Sequence, residues 1–539
     1  MPGNGKGKAD CPEENKMTAL RTTIACVVAS LFFLTQVPSA LAGGEHWWFP
    51  GWHRPTLTCE ELVDGFHKNQ TTITSATLVP AADPAPEYCD VRGLIGNAPE
   101  PGKGIRFAVW LPVEASWNKR FYMVGGGGYA GGLSLTAMRA GLNQGYATAT
   151  TDTGHDAAVF PLATFAYNDP TSEKDYSYRA VHETVITAKE LIKTHYGERP
   201  RYNYWVGCST GGRQGLMEAQ RFPHDFDGLI TGAPVLEFTD TQIGGLWNAK
   251  SLMGAGAIPL SKLPVLAASE LAKCDGSDGL VDGQITDPRL CNFDPLADLP
   301  ACPGDVDGAG CFTFAQRDAV RKVYDGPRTS SGHLIFPGYA VGTAVFGPAS
   351  GWIPWFILPG SPASLLELFG ESFMQFMAFT PDPGPTYVWE DEFDFDRDPF
   401  RMRRIRRILD ADDPDLSHLK RRGGKIIQYH GWADAALTPY MSINYYESVR
   451  ATMGHRRTED FYKLYMAPGM FHCGGGPGPN VFDVFTPLVN WVEHHIEPQE
   501  IIATNPVSGR TRPLCPYPQI AQYQGGNPEV AASFACANP

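Results

Sequence analysis

Three short apolar runs stop abruptly at a glycine or a polar turn: Phe121-Tyr122-Met123-Val124 before Gly125, Tyr204-Trp205-Val206 before Gly207, and Lys425-Ile426-Ile427-Gln428-Tyr429 before His430. Runs that stay apolar without alternation read as strands buried on both faces, as in parallel sheets. Between two of them the period changes. From Tyr178 to Tyr196, Val181, Val185, Ala188 and Ile192 recur at helical spacing, and Gly197 follows as a C-cap. Strands alternating with helices predict an α/β sheet. From about Gly244 to Asp396 the rhythm is lost in a stretch rich in Pro, Gly, Trp and Phe with four cysteines, and it resumes near Asp415.

A chain of 539 residues exceeds the usual span of one hydrophobic core, so the irregular stretch reads as an insertion set over the first domain. The expected layout is an N-terminal extension and signal peptide over 1–42, a core over 43–243, the insertion over 244–396 and the rest of the core over 397–539. The tail after Ile501 is expected to be irregular. No internal repeat is visible.

The leader changes the compartment. From Met17 come a basic Arg21, an apolar run from Ile24 to Leu34 and the small-residue triplet Ala40-Leu41-Ala42, the layout of a secretory signal cleaved after Ala42. Export to the periplasm or beyond is expected. No other stretch approaches the roughly 20 apolar residues of a spanning helix, so no membrane partner is expected. Losing the leader leaves ten cysteines, an even set that reads as disulfides in an exported protein. Sequence proximity suggests Cys274–Cys291, Cys302–Cys311 and Cys515–Cys536, with Cys59–Cys89 by elimination. Cys208 and Cys473 remain.

A net charge of -14 and the lack of a long basic stripe exclude a phosphate-backbone binder, so nucleic acid is not an expected partner. The run Arg401, Arg403, Arg404, Arg406 and Arg407 is expected to decorate a solvated helix.

Gly207-Cys208-Ser209-Thr210-Gly211 fits G-x-S-x-G, with the strand Tyr202 to Val206 before it and a helix-like Arg213 to Phe222 after it. That context makes Ser209 a candidate nucleophile on an α/β-hydrolase elbow. The Thr210 amide, near a helix start, would face an oxyanion, and Gly127 of Gly125-Gly126-Gly127-Gly128 is the candidate for the second donor. The acid and base should follow in the order Asp, then His. Asp434 follows the strand Lys425 to Tyr429, and His472 follows the strand-like Tyr462 to Met466. His155, His182 and His430 are expected to be structural. A Cys208–Cys473 bond would bring Ser209 and His472 into register, and a free thiol at Cys208 is the competing reading.

Cys208-Ser209, Asp434 and His472-Cys473 resemble the CS-D-HC motif of the tannase and feruloyl esterase family, which also contains the bacterial hydrolase of mono(2-hydroxyethyl) terephthalate. The blocks from Gly207 to Gly215 and from Tyr429 to Asp434 are similar to family blocks as well. The resemblance implies an α/β-hydrolase core with a large inserted lid domain, five disulfides, and a small aromatic ester as substrate. Its acid would be ferulate, gallate or a terephthalate half-ester. Leu437 is a candidate for the pocket wall, as are some of the aromatics Trp352, Trp355, Phe356, Phe369, Phe373, Phe376 and Phe379. Most of those rings are expected to build the lid's own core.

The segment Cys274 to Gln284 packs three carboxylates among glycines, hard oxygen ligands that suit Ca²⁺. It is no EF-hand, because Thr286 stands where a bidentate Glu belongs. The resemblance implies ligation by the side chains of Asp275, Asp278 and Asp282 and the carbonyls of Leu280 and Gln284. Two rival classes are weighed: a calcium-stabilised secreted binding protein that keeps the fold without catalysis, and a metallohydrolase. An intact triad argues against the first, and the lack of H-E-x-x-H against the second.

Overall fold

The computed structural model describes residues 56–98, 100–344 and 351–539. The expected leader lies outside them. One nine-stranded sheet runs in the order β1-β2-β3-β5-β4-β6-β7-β8-β9. Its strands are β1 Thr71–Val79, β2 Tyr88–Ile95, β3 Ile105–Pro112, β4 Arg120–Val124, β5 Ala147–Thr151, β6 Tyr202–Cys208, β7 Gly228–Gly232, β8 Lys425–Gly431 and β9 Tyr462–Ala467. The first three and β5 pair antiparallel. From β5 through β4 and β6 to β9 every pairing is parallel. The three apolar runs of the sequence are β4, β6 and β8, and the strand-like Tyr462 to Met466 is β9.

Alternation of side chains across a pleated strand explains the two-layered core. Phe121, Met123, Trp205, Leu229, Ile426 and Leu464 face one cluster, packed with Val181, Val185, Ala188 and Ile192 of the helix Ala180–Tyr196. Their neighbours Tyr122, Val124, Tyr204, Ile230, Ile427 and Tyr465 face the other, with Leu488 and Trp491 of the helix Phe485–His494. The Ala180–Tyr196 helix ends where expected, with Gly197 in the left-handed region at φ 77°. Fully burying such side chains stabilises by roughly 1.5–3 kcal/mol each.

Between Gly232 and Lys425 the described residues add no strand to this sheet. They form helices instead, among them Phe238–Ser251, Leu263–Cys274, Phe314–Asp325 and Leu365–Phe376. The expected boundary at 244 falls inside the first of these. Its Gly244-Gly245 pair reads as a loop signal in sequence but serves helix packing: a Cβ on Gly245 would sit 2.7 Å from the Leu366 carbonyl oxygen. The helix Leu365–Phe376 starts on a capping box, Ser364 with Glu367. A third apolar cluster, including Leu263, Leu266, Phe312, Val320, Trp352 and Phe356, belongs to this segment, with Ala435 reaching it from the loop after β8.

The tail is more regular than expected. Ile501–Thr504 pairs with Thr511–Leu514, and Ile520–Tyr523 with Phe534–Ala537. The basic run lies on the helices Asp398–Arg401 and Arg403–Leu409 with Arg401, Arg403, Arg404 and Arg407 exposed, and Arg404 also pairs with Glu173, Arg401 with Asp398, and Arg406 with Asp240. Among the described residues no single helix is long and apolar enough to cross a membrane.

Candidate active site

Strand register gathers the candidate residues. Cys208 of β6 pairs with Gly232 of β7, Gly232 with Tyr429 of β8, and Gly431 with Ala467 of β9. The C-terminal ends of β6, β8 and β9 therefore lie along one edge, where open α/β sheets carry their sites. Ser209 follows β6 directly, and the loops after β8 and β9 carry Asp434 and His472.

Ser209 sits at φ 62° and ψ -124°, a strained conformation for a residue with a Cβ. The turn survives because the chain around it is over-determined. Ser209 N–H donates to the Gly232 carbonyl at 2.9 Å, and its own carbonyl accepts from Arg213 N–H at 3.0 Å. Gly207 has no room for a side chain, since a Cβ there would meet the Gly211 carbonyl oxygen at 2.4 Å. The helix Thr210–Arg221 begins on the next residue, earlier than the expected Arg213.

Asp434 is fully buried, and both its oxygens are used. Oδ1 accepts from Ala436 N–H at 2.8 Å and Leu437 N–H at 2.9 Å, while Oδ2 accepts from His472 Nδ1 at 2.8 Å. His430 Nε2 stands 3.2 Å from Oδ2 and 3.1 Å from the Leu437 carbonyl. Both neighbours are acceptors, so the proton of His430 sits on Nε2. Burial alone would raise this carboxyl, but the adjacent His472 and the His430 and His472 hydrogen bonds outweigh it and hold Asp434 well below the usual carboxylate range. His472 accordingly carries its proton on Nδ1, leaving Nε2 as a lone pair. No hydrogen bond joins Ser209 Oγ to His472 among the described residues. Such bonds often tighten only when substrate arrives.

Cys208 and Cys473 are bonded, with Cα atoms 6.0 Å apart across 265 residues of chain. The other four bridges are those expected: Cys59–Cys89, Cys274–Cys291, Cys302–Cys311 and Cys515–Cys536. Among the oxyanion candidates, Thr210 N–H opens a helix and has no protein acceptor among the described residues. Gly125 N–H donates to the Val206 carbonyl and Gly126 N–H to Gln214 Oε1, whereas Gly127 N–H has no such acceptor.

Ser209, Thr210, Gly127 and His472 line one cavity of about 330 Å³. Its wall is mostly apolar, with Phe238, Trp355, Leu366, Phe369 and Leu437, and no Lys or Arg among the described lining residues. The Trp355 and His472 rings meet edge to face at 5.4 Å. Of the seven candidate aromatics between Trp352 and Phe379, only Trp355 and Phe369 reach this wall, and the other five are buried elsewhere. Phe238, Thr241 and Gln242 were invisible to motif reading, because they lie one helix after β7 and carry no pattern of their own. His430, expected to be structural, touches the candidate acid Asp434. His155 is buried and stacked on Phe165 at 3.8 Å.

The acidic loop offers oxygen in plenty. Asp275 Oδ1 accepts from Asp282 N–H at 3.0 Å and its Oδ2 from Gly283 N–H at 2.8 Å, while Asp278 Oδ1 accepts from Leu280 N–H at 3.0 Å. Arg512 pairs with Asp282 at 2.5 Å, yet Asp282 Oδ1 is buried with no partner among the described residues. The Leu280 and Gln284 carbonyls accept nothing among the described residues. These donors suit a hard cation, although the Asp275 and Asp278 carboxylates are turned onto their own loop and Arg512 competes for Asp282. Elsewhere His182, Glu218 and Asp225 bring ligand atoms within 4.8 Å of one another and could hold a metal ion. His182 Nδ1 lies 2.6 Å from Asp225 Oδ2 there. Burial, then the neighbouring Asp225, pushes the Glu218 carboxyl well up, so a proton serves this group equally well.

A strained serine at a strand–helix elbow, a buried His–Asp pair and two uncommitted amides, all at one edge of a parallel sheet, make this an α/β-hydrolase of the serine esterase class. More particularly, the chain belongs to the tannase and feruloyl esterase family, whose model, "Tannase and feruloyl esterase", matches residues 89–537. It is a carboxylic ester hydrolase. An uncharacterized esterase of Xanthomonas campestris pv. campestris is 35% identical, covering 90% of this chain and 92% of the relative. The mono(2-hydroxyethyl) terephthalate hydrolase of Piscinibacter sakaiensis is also 35% identical, covering 89% and 92%. The crystal structure of feruloyl esterase B from Aspergillus oryzae superposes with a TM-score of 0.76 at 25% identity, covering 89% of this chain and 99% of that one.

Proposed function

We propose that this protein is an exported esterase that hydrolyses esters of neutral aromatic acids, feruloyl esters first, through an acyl-enzyme on Ser209. His472 Nε2 takes the Ser209 proton as Oγ attacks the ester carbonyl, and Asp434 stabilises the imidazolium. The Thr210 and Gly127 amides receive the oxyanion. His472 returns the proton to the departing alcohol, then activates water to release the acid. The segment between β7 and β8 acts as the lid that closes the acyl side of the cavity.

The observation that carries this reading is the wall itself: flat apolar area from Phe238, Trp355 and Phe369 beside Ser209, with no Lys or Arg among the described lining residues. Offset and edge contacts to an aryl ring are worth about 0.5–1.5 kcal/mol per pair. The carboxylate of a terephthalate half-ester would meet no Lys or Arg among the described lining residues, and burying it without a counter-charge is costly. That separates this chain from the substrate in the name of its Piscinibacter relative. The two readings part in kcat/KM for methyl ferulate, methyl gallate, a terephthalate half-ester and a butyrate ester. Ferulate should lead butyrate by about tenfold or more, one to two ring contacts' worth. Equal turnover of butyrate would leave only a generic carboxylesterase.

One Ca²⁺ stabilises the lid loop, held by Asp275, Asp278 and Asp282 and the carbonyls of Leu280 and Gln284. When bound it supplies charge compensation to buried carboxylates and takes no part in the chemistry. Export is supported by the five disulfides, which persist in oxidising compartments.

A further inference from the structure

Most hydroxyls of the cavity wall are already committed. Tyr129 donates to the Phe369 carbonyl at 2.9 Å, Thr210 to the Gly128 carbonyl at 2.6 Å, and Thr241 to the Glu237 carbonyl at 2.9 Å. Gln242 differs from them. It lines the same cavity and is 3% exposed, and its Oε1 is fully buried with no hydrogen-bond partner among the described residues. A side-chain amide carries two lone pairs on oxygen and two N–H donors, and leaving either end dry and unpaired is unfavourable. The helix Phe238–Ser251 cannot easily release it. Its neighbour Phe238 is packed into the core cluster, and the Gln242 carbonyl lies 3.0 Å from where a Gly370 Cβ would stand, so the two helices are in close contact.

We infer that Gln242 is a specificity-determining residue whose side-chain amide hydrogen-bonds a neutral polar substituent, a phenolic hydroxyl first, on the ring of the bound acyl group. This rests on the aromatic-ester reading above. A phenol suits the position because it both donates and accepts, so it pairs with either end of the amide whichever way that amide is turned. The rest of the wall then supplies ring contact and Gln242 supplies selectivity, in the way a buried polar group penalises a ligand that cannot pair with it.

The test compares methyl 4-hydroxycinnamate with methyl cinnamate, equal in length and differing by one hydroxyl, on the wild type and on Gln242→Leu. In the wild type kcat/KM should favour the hydroxylated ester by about tenfold, the factor one net hydrogen bond gives. In Gln242→Leu the ratio should fall to near one, and the change should appear in KM rather than kcat. An unchanged ratio in active Gln242→Leu would overturn the inference, as would a wild type with no preference. Should the variant fail to fold, competitive inhibition of the wild type by 4-hydroxycinnamyl alcohol and cinnamyl alcohol decides. A Ki about tenfold lower for the hydroxylated alcohol supports the contact, and equal values overturn it. Aromatic esters that beat butyrate without any hydroxyl effect would remove Gln242 alone. Aromatic esters that do not beat butyrate would remove the substrate reading and this inference together.

Discussion

Asp434, at the edge of the sheet, and Glu270, in the helix Leu263–Cys274 of the segment between β7 and β8, are both fully buried, yet their protons behave in opposite ways. Burial pushes Glu270 up to about 8, and the Tyr324 hydroxyl and the Gly342 amide recover only part of that shift. The same burial acts on Asp434, but two imidazoles and two amides hold it ionised. Desolvation is therefore common to both regions, and the counter-charge placed beside the carboxyl decides what it becomes. At the sheet edge the chain maintains a charge beside the candidate base His472. In the segment between β7 and β8 it lets a carboxyl stay neutral and serve packing. Changes at the edge should consequently strike turnover, and changes at Glu270 and its neighbours, away from the cavity wall, should strike stability.

Ser209→Ala sharpens this contrast most. It removes one oxygen atom and leaves the amides of the elbow in place, so kcat should fall by about 10⁴-fold or more while Tm stays within a degree or two. Single-turnover assays on carefully purified variant protein, paired with a melting curve, measure both. Residual turnover above a few per cent would mean that another group attacks, and a collapsed melting curve would mean that the strained elbow needs its hydroxyl.

The Cys208–Cys473 bond crosses the contrast, because it lies at the edge and ties the two candidate catalytic loops. Its 265-residue span far exceeds the 9 to 30 residues of the other four. Replacing both cysteines by Ala should lower stability by about 2–5 kcal/mol, as long loops lose most in the chain-entropy view. It should also lower kcat by about tenfold to a hundredfold, since Ser209 and His472 lose their shared tether. The comparison is the Cys302, Cys311 pair replaced likewise, which should cost stability with kcat unchanged. Equal kcat in both double variants would reduce the bond to an ordinary staple.

The edge was also the region most legible in sequence. Its strands are buried on both faces, so they read as unbroken apolar runs, and its candidate catalytic residues sit at fixed offsets from their ends: Ser209 after β6, Asp434 and His472 in the loops after β8 and β9. The insert gave no such reading. Gly244-Gly245 signals a loop by composition but packs one helix against another. Gln242 and Phe238 reach the cavity only through tertiary placement of a helix. Local sequence cannot tell Trp355, at the wall, from Trp352, in the core three residues before it.

Calcium provides the smallest expected effect and the cleanest separation of the two regions. If the ion sits in the loop from Asp275 to Gln284, it binds the folded state alone and stabilises it in proportion to the logarithm of its concentration over Kd. Removing it with excess chelator should lower Tm by about 2–4 °C for each kcal/mol lost, while kcat at a temperature well below the transition stays the same. Asp282 is the informative position, because Arg512 already pairs with one of its oxygens and the other is buried without a partner. Asp282→Asn should therefore weaken the ion's hold and make the melting curve much less sensitive to chelator. Asp275→Asn would be a poorer test, since Asp275 also accepts three backbone N–H groups and its loss would disturb the loop whether or not an ion is present. Elemental analysis near one Ca²⁺ per chain, with a chelator shift in the wild type and little in Asp282→Asn, supports the site. Absence of calcium together with an unchanged melting curve would show that Arg512 and the loop's own amides compensate these carboxylates without a metal.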